Sequence, residues 1–198
     1  MQKALVIYSH PSMGSFNHAI LETVINELSA SGIEYKMKDL YRMDWDPVFS
    51  LKDYQMTIAG EAAVEVSFEQ KDILWADLLI FIYPVWWGGP PAILKGWLDR
   101  VFTEGFAYNM VDGKAEGFLT GKKAVVITTS GDDKRTMEKN GVLDAIRAAM
   151  IERTLGYVGI EKAIHHNLYA ASMMRERERL NMLGEVKDII RQIIGEKA

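Results

Sequence analysis

The chain has 198 residues, 48% of them hydrophobic and 25% charged, with a formal net charge of −4 and no cysteine. That length suits one domain, 1–198, with a substantial core. Disulfides, thiolate catalysis and zinc–sulfur sites are excluded, and the mild acidity gives no reason to expect nucleic acid or an anionic membrane as partner. No apolar stretch reaches the ~18 residues needed to cross a bilayer. Residues 1–3 run directly into ALVIY rather than a secretory apolar region, so a cytoplasmic location is expected.

Short apolar runs alternate with helical patterns along the chain. Ala4–Tyr8 predicts the first strand, and a loop then leads to a helix from about Asn17 to Ser31. Ile20, Leu21, Val24, Ile25 and Leu28 form its apolar stripe, and Ser31–Gly32 ends it. Glu34–Asp39 is a more polar second strand, expected at an edge, and residues 40–65 are irregular with short helical pieces. Glu69–Trp75 is helical, Leu78–Tyr83 is a fully apolar third strand, and Ala92–Phe102 is a helix with Trp97 and Leu98 inward. Glu104–Thr120 reads as a glycine-punctuated excursion with a hairpin turn at Asp112–Gly113. Ala124–Thr129 is the fourth strand, Val142–Leu155 a helix, Ile160–Leu168 the fifth strand, and about Ser172 to Ile194 the last helix.

Five strands separated by helices require a parallel sheet covered on both faces. The expected fold is α/β: a flavodoxin-like, doubly wound five-stranded parallel sheet with helices on both faces. Ligands of such sheets bind beyond the carboxyl ends of the strands, where the strand order reverses. Three loops fall there: His10–Asn17, Pro84–Pro91 and Thr128–Asp133. The first offers hydroxyls, glycine and helix-terminal amides, a combination that holds anions or simply caps a helix. It contains no GxGxxG, no GxxxxGK[ST] and no basic residue, so a phosphate or diphosphate held by neutral donors fits it better than a triphosphate. The second, PVWWGGPP, sets flat side chains beside bare backbone, as a tight turn or as a wall for a planar ligand. The third, TTSGDD, is a turn or a polar amide rim. Together they supply the three surfaces a flavin nucleotide needs, and its ring carries the redox chemistry the protein lacks.

These residues resemble the NAD(P)H:quinone oxidoreductase family, the flavodoxin-like enzymes that include DT-diaphorase. The likeness is strongest over Glu69–Tyr108, EQKDILWADLLIFIYPVWWGGPPAILKGWLDRVFTEGFAY, with YSHPSMGSFN and ITTSG matching in order and place. It extends from residue 3 to about 131. The resemblance implies a tightly bound, non-covalent FMN or FAD, NAD(P)H as co-substrate, and ping-pong reduction of a quinone, nitro or azo acceptor. It also implies a homodimer, whose second subunit completes the acceptor pocket. Carried over, His10, Ser15, Phe16 and Asn17 would hold the flavin phosphates, with Gln70 on the ribose or adenine side. Pro84, Val85, Trp86 and Trp87 would line the ring, and Thr128, Thr129, Ser130 and Gly131 its polar edge. Gly88, Tyr108 and Met110 would shape the acceptor pocket.

Three departures qualify the likeness. A tyrosine and a histidine that follow the third loop in mammalian-type enzymes are missing from Asp132–Gly141, DDKRTMEKNG. Gly88 replaces a phenylalanine, and Met110 a second tyrosine. No catalytic side chain is therefore assigned. Hydride transfer would rest on the cofactor and proximity, with backbone amides, assisted by Lys134 or Arg135, steadying the reduced flavin's charge. Competing readings are a flavodoxin-like electron carrier and an ancillary regulatory subunit of a potassium efflux system. His165–His166 lies on a strand, whose alternation keeps both from one metal, so no metal is expected. The run Arg175–Arg179 is read as the solvated start of the last helix.

Overall fold

The computed structural model describes residues 2–195. Met1 and residues 196–198, the ends of the expected 1–198 span, lie outside the described residues. Five parallel strands are ordered β2-β1-β3-β6-β7: β1 Lys3–Tyr8, β2 Glu34–Asp39, β3 Leu78–Pro84, β6 Lys123–Thr129 and β7 Lys162–Leu168. A separate antiparallel hairpin pairs β4 Tyr108–Val111 with β5 Lys114–Gly117. Its central residues Asp112 and Gly113 have φ of 51° and 76°, the paired positive values of a type I′ turn.

Strand alternation divides the core in two. Leu5, Ile7, Leu79, Phe81, Tyr83, Ala124 and Val126 face α3 (Val64–Trp75), α4 (Ala92–Val101) and a helical segment at 147–155. Ala4, Val6, Leu78, Ile80, Ile82, Val125 and Ile127 face α1 (Phe16–Ala30) and α7 (Glu176–Gly195). Both faces of β3 and β6 are therefore dry, which is why every residue of those strands is buried. β2 has one strand partner and an exposed pattern, in keeping with the edge expected from its polarity.

Residues 40–65 contain a short helix, as expected: α2 (Leu51–Ile58), nucleated by a capping box in which Ser50 and Asp53 bond reciprocally. Helical boundaries depart from expectation in three places. The helix expected from Glu69 starts at Val64. The single helix expected over Val142–Leu155 follows an unforeseen α5 (Lys134–Lys139) and divides into α6 (Val142–Ile146) and a π-helix (Arg147–Leu155). Its wider turn puts Met150 and Leu155, five residues apart, into the core together. The last helix begins at Glu176 rather than Ser172, because Ala170 takes a positive φ of 51° and the chain turns before it can coil.

Two glycines mark close backbone approaches. A Cβ on Gly96 of α4 would stand 2.1 Å from the Pro47 carbonyl oxygen. One on Gly117 would stand 2.2 Å from the Val158 carbonyl carbon, which seats the hairpin directly on the turn before β7.

Candidate functional site at the carboxyl edge of the sheet

β1 and β3 are neighbours, yet their following helices α1 and α4 cover opposite faces, so a cleft opens beyond their carboxyl ends. The cleft is a cavity of about 510 Å³, within the usual range for a cofactor site. Ten expected residues line it: His10, Ser15, Phe16, Asn17, Pro84, Val85, Trp86, Thr129, Ser130 and Gly131. Gly14 of the first loop joins them, as do Ala171, Ser172 and Arg179, which the sequence did not point to.

Each wall has a local cause. Ser15 caps α1, its hydroxyl accepting from the His18 amide at 3.1 Å. The helix thus points its free first-turn amides at the cavity. His10 Nδ1 lies 3.0 Å from the Ser12 amide nitrogen and 3.2 Å from the Ser12 carbonyl oxygen, which ties the ring to its own loop. Burial lowers the His10 pKa against a smaller opposing effect of the Ser12 backbone. Trp86 is fixed by reciprocal backbone bonds with Gly89, at 2.9 and 3.1 Å. Its ring lies 6.1 Å from that of His10.

Asn17 supplies the most specific demand. Its Nδ2 donates to Thr129 Oγ1 at 2.8 Å, while its buried Oδ1 has no partner. A buried acceptor left open costs ~1–3 kcal/mol unless something donates to it. Arg179 carries the one fixed charge among the lining residues, its guanidinium 6.0 Å from the centre of the Phe16 ring and its buried Nε unpartnered. The run 175–179 is therefore more than a solvated helix start. Arg179, Leu183 and Val186 follow one stripe of α7, but that stripe alone does not tell whether solvent or a ligand lies beyond Arg179.

The other expected residues lie elsewhere. Thr128 alternates with Thr129, faces the opposite side of the sheet and is wholly buried. Gln70 Nε2 donates to the Val101 carbonyl at 3.1 Å and to Thr103 Oγ1 at 3.2 Å, tying α3 to the end of α4 outside the cavity. Trp87 projects fully into solvent, and Trp87 and Gly88, with φ of 53° and 77°, form the centre of a type I′ turn. Gly88 is thus a backbone requirement before it is a pocket feature. Tyr108 lines a separate recess of about 650 Å³ with Phe49, Tyr54 and Phe102. Its ring meets Tyr157 edge-on at 5.0 Å, and the Tyr157 hydroxyl contacts Met110 Sδ at 3.6 Å. Lys134 and Arg135 do not line the cavity, and the Lys134 ammonium lies 3.8 Å from Glu138. His165 and His166 point to opposite sides, to Thr128 and to Glu185 respectively.

Sheet order and the position of the cavity define a flavodoxin-like fold, and the family model described by that fold matches residues 2–189. The chain is 35% identical over 158 residues to a Haemophilus influenzae protein named uncharacterized NAD(P)H oxidoreductase, covering 79% of this chain and 78% of that one. It is 31% identical over 202 residues to human ribosyldihydronicotinamide dehydrogenase (quinone), covering 92% and 87%. The structure of an NAD(P)H:quinone oxidoreductase from Methanothermobacter marburgensis superposes with a TM-score of 0.89 at 30% identity, over 100% of this chain and 99% of that one. The chain belongs to the NAD(P)H:quinone oxidoreductase family.

Proposed function

We propose that the protein is a flavin-dependent NAD(P)H oxidoreductase that reduces quinones or related two-electron acceptors, nitro and azo compounds included. The observation that carries this reading is the orphaned Asn17 Oδ1 in a cavity with a cationic side chain at one end and an aromatic ring on its wall. A flavin nucleotide has a hydroxyl to donate to Asn17, a phosphate for Arg179 and the α1 terminus, and a ring for Trp86. A bound flavin would supply the redox chemistry, taking a hydride from NAD(P)H and passing the two electrons to the acceptor. The protein binds it, orients it, and presents Thr129, Ser130 and Gly131 along its polar edge.

A groove of about 210 Å³ continues from the cavity past Gly14, Ser15, Phe16 and Arg179 to Leu180 and Leu183. Its apolar end suits an adenine, which favours FAD over FMN. A homodimer is in keeping with the exposed apolar residues Phe49, Tyr54 and Ile58 that line the Tyr108 recess, and with the exposed Leu51, Val64 and Phe68 of α2 and α3. Among the described residues no helix is long and apolar enough to cross a membrane, and we read the protein as cytoplasmic.

Rapid mixing of the flavin-loaded protein with NADH or NADPH tests the activity. Bleaching in one turnover without acceptor, then reoxidation by a quinone, is expected of the ping-pong cycle. Loaded protein that neither nicotinamide reduces is not this enzyme.

A further inference from the structure

We propose that Asn167, held by Thr128 and His165, is a positioning residue that fixes the Ser130–Gly131 segment against the flavin. The inference rests on the flavin reading above and concerns a polar path on the far face of the sheet. Thr128 and Asn167 sit side by side in the β6–β7 register, and His165 lies on the same face two residues away. The bonds run in one direction. His165 Nε2 donates to Thr128 Oγ1 at 2.9 Å, because the Thr128 proton is already given to Asn167 Oδ1 at 2.7 Å. Asn167 Nδ2 then donates to Ser130 Oγ at 3.0 Å, and Ser130 Oγ donates to the Asp132 carbonyl at 2.9 Å.

Asn167 Nδ2 turns its other proton toward Met137 Sδ at 3.5 Å, so every hydroxyl and amide proton in the path has an acceptor and the rotamers are determined together. Thr128, Asn167 and Ser130 are buried, so a broken link leaves a buried polar atom without its partner. The backbone completes the clamp: Ser130 N–H donates to the Leu168 carbonyl, Ala171 N–H to Ser130 and Ala170 N–H to Asp132. Ala170 adopts a positive φ in this clamp, a conformation that a loop free to relax would leave. Ser130, Gly131 and Ala171 are cavity walls, whereas Thr128, His165 and Asn167 are not. The path therefore reaches the site only through the loop it holds.

Thr128→Val removes the central hydroxyl at constant shape, and Thr128→Ser restores it. In flavin-free protein, amide exchange over residues 130–133 should accelerate about tenfold in Thr128→Val and stay near wild type in Thr128→Ser. With flavin bound, the ratio of affinities for its reduced and oxidised forms should fall about tenfold in the valine variant, a potential lower by about 30 mV for a two-electron couple. The serine variant should recover most of it. His165→Leu breaks the path at its outer end, and the same two changes are expected. Wild-type exchange and potential in the valine and leucine variants would overturn the proposal. If the wild-type protein takes up no flavin, the functional reading fails, and the exchange measurement still decides whether the path holds the loop.

Discussion

Replacing Arg179 by methionine keeps most of its apolar stem and removes its charge. Among the described residues no other fixed charge lines the cavity, and burial disfavours a charged His10, so little remains to balance a phosphate. A unit charge pair at ~4 Å is worth about 4 kcal/mol at the dielectric of a protein surface. Because Arg179 is half-buried, the net value falls to that of a charge-assisted hydrogen bond, about 1.5–3 kcal/mol. Flavin Kd should therefore rise roughly 10- to 150-fold. Quenching titrations at two salt concentrations measure this, and the salt dependence of binding should shrink with the affinity. Arg179→Lys should retain much of the binding, whereas riboflavin, which lacks phosphate, should bind both proteins alike. A Kd for FMN and FAD unchanged within about twofold would refute the assignment of Arg179 to the phosphate.

Gly96→Ala puts a Cβ 2.1 Å from a backbone carbonyl that has no flexible end to move. A loss of about 3 kcal/mol follows, roughly 6–12 °C in Tm, against a small gain for Gly184→Ala, whose added methyl meets nothing within 4 Å. Trp87 holds a strained φ while wholly exposed, so Trp87→Gly should leave flavin affinity intact and raise stability by up to about 1 kcal/mol in urea melts. If Trp87 serves the acceptor, the same variant loses quinone turnover and not flavin reduction. Burial, helped by His166, lowers the His165 pKa to about 4 from its ordinary 6.5. The unfolded chain then binds the proton first, so stability is intact above pH ~6.5 and falls by up to about 1.4 kcal/mol per pH unit down to about 4. His165→Leu should flatten that slope in melts from pH 7 to 4.

The sheet was legible because burial on both faces leaves an unmistakable mark: Leu78–Tyr83 and Ala124–Thr129 have hardly a polar interruption. The switch-point loops followed from chain order alone. Which residue of a loop faces the cavity depends on strand parity, and parity separates Thr129 from its neighbour Thr128. The sequence cannot display that separation without the register. Arg179 was hidden for a different reason. A charged run beginning a helix has the same composition whether solvent or a ligand lies beyond it, and only the packing of α7 on α1 brings it to Phe16. The π-helix was hidden too, since its stabilising contacts, Met150 and Leu155 against the core, are tertiary. Gly88 shows the opposite case, where a local backbone demand explains a residue first read as a pocket feature.

The cavity's occupant is the central claim, and the visible spectrum of the purified protein, with mass identification of the released chromophore, tests it most directly. The account predicts a flavin band and one FMN or FAD per chain, weakened in Asn17→Leu and Arg179→Met. A colourless protein that takes up neither flavin when both are supplied would contradict it.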